Sequence, residues 1–327
     1  MGIILWGGSR KGMINMALKA DLKKDMPTDK YCLFIRIGSI CCALVLRNLK
    51  DYHEGQKLYR EFITEGPADI TIELEVTDRV NPENLEEVLY DTVYTHNGGR
   101  FWTTSQIVSG QYDLSSSIVN ITAERKLGDA NFEFNHLNRL ITTAYFSGCK
   151  IKYNGGGPPA MLMHACGIVR NGKAILFTGP SEIGKSTIAR LCGDIHGEVI
   201  NDEMVLVSRP GRGDNGISAL GAPILGEVSR RNISAPLSCI LMLKQSSETK
   251  VNTLDKTDAY LRLIRQVINP AYIGQKSGRE VYSLMADFSS EMTEHVPVYE
   301  LEFQLDRNKL WRTVERLESA LENGEWK

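Results

Sequence analysis

An α/β fold of mixed sheets, with a strand-rich α+β half at residues 1–157 and a second half at 158–327, is predicted by three observations. Ile70, Ile72, Leu74 and Val76 alternate with Thr71, Glu73 and Glu75, the period of two that marks a strand with one buried face. Asn154 to Pro159 reads NGGGPP, which neither a helix nor a strand sustains, and this sets the boundary between the halves. A β-prone run at Ala174 to Thr178 enters a glycine-bearing loop at Gly179, and a helical pattern follows that loop directly.

Taken in order, Tyr31 to Ile37 and Ile40 to Leu46 are continuously apolar and read as central strands. A helix is expected around Tyr52 to Ile63. Asn97-Gly98-Gly99 ahead of Arg100, Phe101 and Trp102 signals a hairpin turn. A second helix around Asn135 to Phe146 would set Leu137, Ile141 and Ala144 on one face. In the second half, Leu162 to Arg170 and Ala174 to Thr178 are strands joined across Asn171-Gly172, a strong hairpin turn. Thr187 to Leu191 continue as a helix, and strands Glu198 to Ile200 and Met204 to Val207 flank Asn201-Asp202-Glu203. Asp255 to Ile268 carries Ala259, Leu261, Leu263, Ile264 and Val267 in a helical pattern stopped by Asn269-Pro270. Strand Val296 to Phe303 and helix Asn308 to Leu321 complete this half.

The 327 residues carry 38 Lys and Arg against 40 Asp and Glu, a formal net charge of -2, so no global positive field draws the chain to nucleic acid or anionic lipid. No apolar run approaches the length of a bilayer-spanning helix, and Ile3 to Trp6 is too short for the core of a signal peptide. A cytoplasmic protein is expected, with no membrane and no nucleic-acid partner. The seven cysteines include no CxxC pair and sit in mostly apolar segments, the pattern of buried reduced thiols, and the six histidines supply no zinc cluster.

The residues that carry chemistry lie in the second half. Gly179-Pro180-Ser181-Glu182-Ile183-Gly184-Lys185-Ser186 fits G-x-x-x-x-G-K-[ST] in full, between a strand and a helix that runs on from Thr187. In such a loop successive N–H groups turn inward toward phosphate oxygens, the lysine reaches the β- and γ-phosphates, and the serine hydroxyl joins the shell of a magnesium ion. Asp202 and Glu203 follow at the end of a strand, with Asp202 seventeen residues beyond Lys185, where a carboxylate can reach the metal. Acidic pairs at strand ends are also common as solvated turns. His164 lies twenty-one residues before Lys185, in the strand that pairs with the loop-bearing strand. A lone histidine in an apolar strand is more often a hydrogen-bonded core residue, although its pKa suits proton handling. Arg230-Arg231 reads either as a phosphoryl-facing pair or as a solvated basic turn.

These residues carry a family likeness. Leu162-Met163-His164-Ala165, the glycine-rich loop and Ile200-Asn201-Asp202-Glu203 resemble, in motif and spacing, the C-terminal domain of HPr(Ser) kinase/phosphorylase and its relatives, whose core is similar to phosphoenolpyruvate carboxykinase. Gly221-Ala222-Pro223, Gly226-Glu227, Ser234 to Leu237 and Ile240 to Gln245 extend the resemblance, which covers about residues 160 to 305. It implies an ATP-dependent kinase of a serine-type hydroxyl on a peptide, protein or amino acid. Under it, Asp202 is the base, His164 assists near the phosphates with Lys185, and Ser186 and Glu203, with Asp202 beside them, serve Mg²⁺ or Mn²⁺. Gly179 to Thr187 would hold the nucleotide. Two departures stand out: the second acid is usually Asp where this chain has Glu203, and the HPr-specific stretch E-x-R-G-x-G is absent. Residues 1–157 do not resemble the N-terminal domain of the bacterial HPr enzyme and would select the substrate. The competing readings are a small-metabolite kinase and a nucleotide-dependent switch without transfer, and a homo-oligomer is compatible with all three.

Overall fold

In β1 (Tyr31–Ile37) and β2 (Ile40–Leu46) the apolar runs pair antiparallel across a two-residue turn, and β2 is buried along its whole length. That is the consequence of apolar side chains on both faces. The computed structural model describes residues 30–77, 100–102, 108–113, 118–124, 160–193, 195–208, 216–223, 226, 228–268 and 278–325. Within them the chain is a mixed α+β protein built on two mixed sheets. The NGGGPP segment, the turn at 97–99 and the helix expected over 135–146 lie outside the described residues.

The first sheet adds β3 (Ile70–Thr77), β4 (Arg100–Trp102), β5 (Val108–Asp113) and β6 (Ile118–Glu124) in the order β1-β2-β3-β6-β5-β4. β3 runs parallel to both of its neighbours, and the other pairs are antiparallel. The helix expected from Tyr52 starts earlier, as α1 (Leu49–Leu58), because the Asn48 side chain accepts the Asp51 N–H at 2.8 Å and caps it. It also stops earlier. Arg60–Phe62 form a 3₁₀ turn that drives Tyr59 and Phe62 fully into the core.

The second sheet is organised by β7 (Ala160–Arg170). β8 (Lys173–Thr178) returns antiparallel along its second part through a turn whose central residues, Asn171 and Gly172, have φ of 49° and 75°. Positive φ at both positions matches the right-handed twist of the strands. The opposite edge of β7 is lined by β9 (Glu198–Asn201) and β10 (Met204–Ser208), which continue one line interrupted at Asp202-Glu203. β12 (Ser234–Gln245) lies parallel to β8, and β14 (Val298–Phe303) lies parallel to β12, with β13 (Lys250–Thr253) at the edge. β11 (Ser218–Leu220) pairs with β10 on one side and with the start of β12 on the other, so the strands close a circuit.

Alternation along these strands builds two cores. Ile175, Phe177, Cys239, Leu241 and Leu243 face α2 (Lys185–Cys192) and α5 (Arg307–Glu322), whereas Leu176, Ile240 and Met242 face α3 (Lys256–Leu263) and α4 (Gly278–His295). α4 is a helix that the sequence reading did not assign. The helix expected over 255–268 is shorter, capped by Asp255 and ending at Leu263. The chain then leaves the helix to pair with β7: Gln266 O accepts from His164 N, and Ile268 N donates to Leu162 O, both at 2.8 Å. Backbone groups of β7 left open by β8 take precedence over helical propensity there. A third cluster joins β1–β3 to Ala160, Leu162, Leu206 and Ala222 of the second half. Among the described residues no helix is long and apolar enough to cross a membrane, and the six described cysteines are free thiols.

Candidate functional site

The candidate site forms where β8 ends. Its backbone turns at Gly179 and re-enters a helix at Lys185, with Glu182 at φ 65° and Gly184 at φ 121° between them. A left-handed non-glycine residue costs of order 1 kcal/mol and persists where its surroundings impose it. At Gly184 a side chain has no room, since a Cβ would stand 2.8 Å from the Phe303 ring. The loop is tied down by Ile183 O, which accepts from Gln245 Nε2 at 3.3 Å, and by Ile188 N, which donates to Gly184 O at 2.9 Å.

Lys185 opens α2 and is almost wholly buried. Its ammonium folds back on the loop, donating to Gly179 O at 3.2 Å and Pro180 O at 3.0 Å. Burial lowers the Lys185 pKa, and the Glu203 carboxylate opposes that shift. The ammonium thus occupies a cradle of carbonyl oxygens from which it can swing toward an anion. Ser186 and Thr187 follow on the same turn, both half-buried.

Glu203 and His164 face this lysine from the other side. The Asn201 side chain accepts N–H bonds from Glu203 at 2.8 Å and Met204 at 3.0 Å, which bends the β9–β10 line outward at Asp202-Glu203. Glu203 Oε1 comes to 3.5 Å from His164 Nε2, with the carboxylate side chain 42% exposed and the imidazole 19%. His164 is anchored through its backbone, its carbonyl accepting the Thr178 hydroxyl at 2.7 Å. Burial first, and then the Lys185 charge, holds its pKa below the ordinary value, against the opposing pull of Glu203. Burial and the Lys185 charge thus favour the neutral imidazole, the form that can accept a proton or donate one from its N–H.

Asp202 takes a different place. It is fully buried, its Oδ1 accepts the Val228 N–H at 3.0 Å, and its Oδ2 has no hydrogen-bond partner. Gly226 lies so close that a Cβ there would stand 2.3 Å from Asp202 Oδ1. The roof is held by Arg231 N, donating to Ile200 O at 2.8 Å, and by the Ser229 hydroxyl, donating to Val199 O at 3.0 Å. The structure thus brings Lys185, Glu203 and His164 together and sets Asp202 behind them under a cover. That cover was not anticipated from the sequence, and only the glycine at 226 hinted at a close backbone approach.

The donors here suit a hard cation. Ser186, Glu203 and the unpartnered Asp202 Oδ2 are all oxygen donors, as magnesium or manganese requires. Among the described residues no group of three or more His, Cys, Asp or Glu could hold a metal ion alone. Magnesium commonly takes one or two protein carboxylates and completes its shell with phosphate and water, so this sparse set fits.

Fold and site define a mixed-sheet α+β protein with a glycine-rich strand–turn–helix loop whose lysine faces a histidine–glutamate pair. A family model described as SynChlorMet cassette protein ScmC matches residues 149–319, just over half of the chain, and the chain belongs to that family. Comparison with curated proteins finds no match.

Proposed function

We propose that the chain is an ATP-dependent phosphotransferase resembling HPr(Ser) kinase, which moves the γ-phosphoryl of ATP to a serine-type hydroxyl of a peptide, protein or amino acid. One observation carries this reading: Lys185, at the head of the helix after a full G-x-x-x-x-G-K-S loop, shares its surroundings with Glu203 and His164. In this reading Gly179 to Thr187 wrap the phosphates, and Lys185 leaves its two carbonyls to neutralise charge on the transferring group. Ser186 and Glu203 hold Mg²⁺, which supplies charge neutralisation when bound. Asp202 is the base. Its Oδ2 takes the proton of the acceptor hydroxyl as the new O–P bond forms and the bond to ADP breaks, while His164 assists beside the phosphates.

A second reading, a nucleotide-dependent switch without transfer, is favoured by one feature, the full burial of Asp202 under Gly226 and Val228. In the kinase reading that cover lifts when the acceptor binds. Incubation with γ-labelled ATP and a lysate of the source organism separates the two: label on a polypeptide or small molecule supports transfer, and label only on free phosphate or ATP supports the switch. Asp202→Asn is expected to keep nucleotide affinity and lose about 10²–10⁴-fold in transfer rate, the usual cost of losing a general base. Wild-type transfer by Asp202→Asn together with a dead Glu203→Gln would assign the base to Glu203 instead.

A further inference from the structure

We infer that Gln266 is a further phosphate-contacting residue of the candidate site, its side-chain amide donating to the γ-phosphate of a nucleotide held in the glycine-rich loop. The inference rests on the nucleotide reading of that loop proposed above and adds a residue to it. Backbone register is what places Gln266 there. β8 lines β7 only as far as Thr178, which stands opposite Ala165. The loop departs at that point, and residues 266–268 take over the same edge of β7 in the same direction. Val267 bridges Met163, Gln266 O accepts from His164 N, and Ile268 N donates to Leu162 O. Gln266 is therefore opposite His164, one register place beyond Thr178 and at the foot of the loop.

Opposed residues of an antiparallel pair share a face, and neighbours along a strand alternate. Met163 and Val267 belong to the core under α3 and α4, whereas Leu162 and Ile268 pack together on the other side. Gln266 and His164 are thus neighbours on that other side, where Cys166 meets α2. Cross-strand partners of this kind hold their Cβ atoms about 4.5–5.5 Å apart. Glu203 approaches the same imidazole at 3.5 Å from the β10 side, and Lys185 opens α2. His164 is therefore flanked by an acid on one edge and an amide on the other.

Gln266 is 8% exposed, and its side-chain amide makes no hydrogen bond among the described residues. Unlike Asp202 Oδ2, neither atom of that amide is sealed from solvent, so a ligand can reach it. A mostly desolvated amide without a partner is unfavourable, and a phosphate oxygen is an acceptor for its N–H. The donor is uncharged, which leaves charge neutralisation to Lys185 and the metal.

Calorimetric titration of the full chain with Mg²⁺ and the β,γ-imido analogue of ATP, and separately with Mg·ADP, tests this. Gln266→Leu should weaken binding of the analogue at least about tenfold, as loss of a hydrogen bond to a charged group does, and leave ADP, which has no γ-phosphate, within about twofold. Gln266→Glu should weaken the analogue further, since it sets a carboxylate against the phosphate. Equal losses for both nucleotides, or none for the analogue, overturn the inference, and a Lys185→Ala variant that still loses affinity then keeps the loop reading intact. If Gln266→Leu does not fold, wild-type affinity of Gln266→Glu for the analogue overturns it equally. Absence of nucleotide binding by the wild-type chain, or wild-type affinity in Lys185→Ala, removes the loop reading and this inference with it.

Discussion

His164 sits between a cation and an anion, and its titration reports that arrangement. Burial and Lys185 depress its pKa while Glu203 raises it. Its NMR titration midpoint is therefore expected below the ordinary value of about 6.5. It should rise in Lys185→Ala and fall further in Glu203→Gln, and an unmoved midpoint in both variants would separate His164 from the loop. The sign for stability follows from proton uptake. The unfolded chain binds the proton first as pH falls below about 6.5, so stability held by the neutral imidazole is present above that pH. It is lost as pH falls through the lower, folded value, and His164→Gln should flatten that part of a urea-midpoint profile. Lys185→Ala should abolish Mg·ATP binding in calorimetry with the far-UV spectrum unchanged, because the ammonium contacts only two loop carbonyls of its own turn. Wild-type affinity in that variant would remove the nucleotide from this loop.

At the scale of elements, α5 docks on the sheet through Leu310, Trp311, Val314 and Leu317, and Trp311 makes the polar and aromatic contacts. Trp311 is 1% exposed, donates its indole N–H to Leu191 O at 2.8 Å, meets Phe177 edge-on at 6.1 Å and stacks on His196 at 5.1 Å. Trp311→Ala is expected to cost about 3–5 kcal/mol in urea unfolding, as large aromatic truncations in cores do. A cost under about 1 kcal/mol would show that α5 is not docked on the sheet through this ring. Legible in the sequence were the 171–172 turn and the strand–loop–helix at 174–191. Each of those signals is local or lies one hairpin away. What escaped the reading has a nonlocal cause. The cover on Asp202 comes from Val228, twenty-six residues on, and leaves no periodic trace. α4 was missed because its buried line of Met285, Phe288 and Met292 is interrupted by Ser289, which is buried too and satisfied by Met285 O at 2.7 Å. The early end of α3 has the same kind of origin, since Val267 bridges Met163 of β7 instead of continuing the helix.

For the whole molecule, the feature with the widest reach is the cluster shared by the two halves. β1, β2 and β3 pack against Ala160 and Leu162 at the head of β7, against Leu206 and Ala222, and more loosely against Ile268 and Leu284. Apolar surface left without these partners forfeits about 25 cal/mol per Å². A polypeptide ending at residue 157 is therefore expected to bind a hydrophobic dye and to resist urea less than the same residues in the full chain, and equal midpoints would make the first half self-sufficient. The arrangement also has a temporal meaning. A ribosome releases the chain from its amino end, so the first sheet emerges long before the residues that finish its core. Nascent chains stalled shortly after residue 157 should be cut readily by protease, and resistance should appear only once Ala222 has cleared the exit tunnel. Speed of elongation through the second half then sets how long an unfinished apolar face waits in the cell.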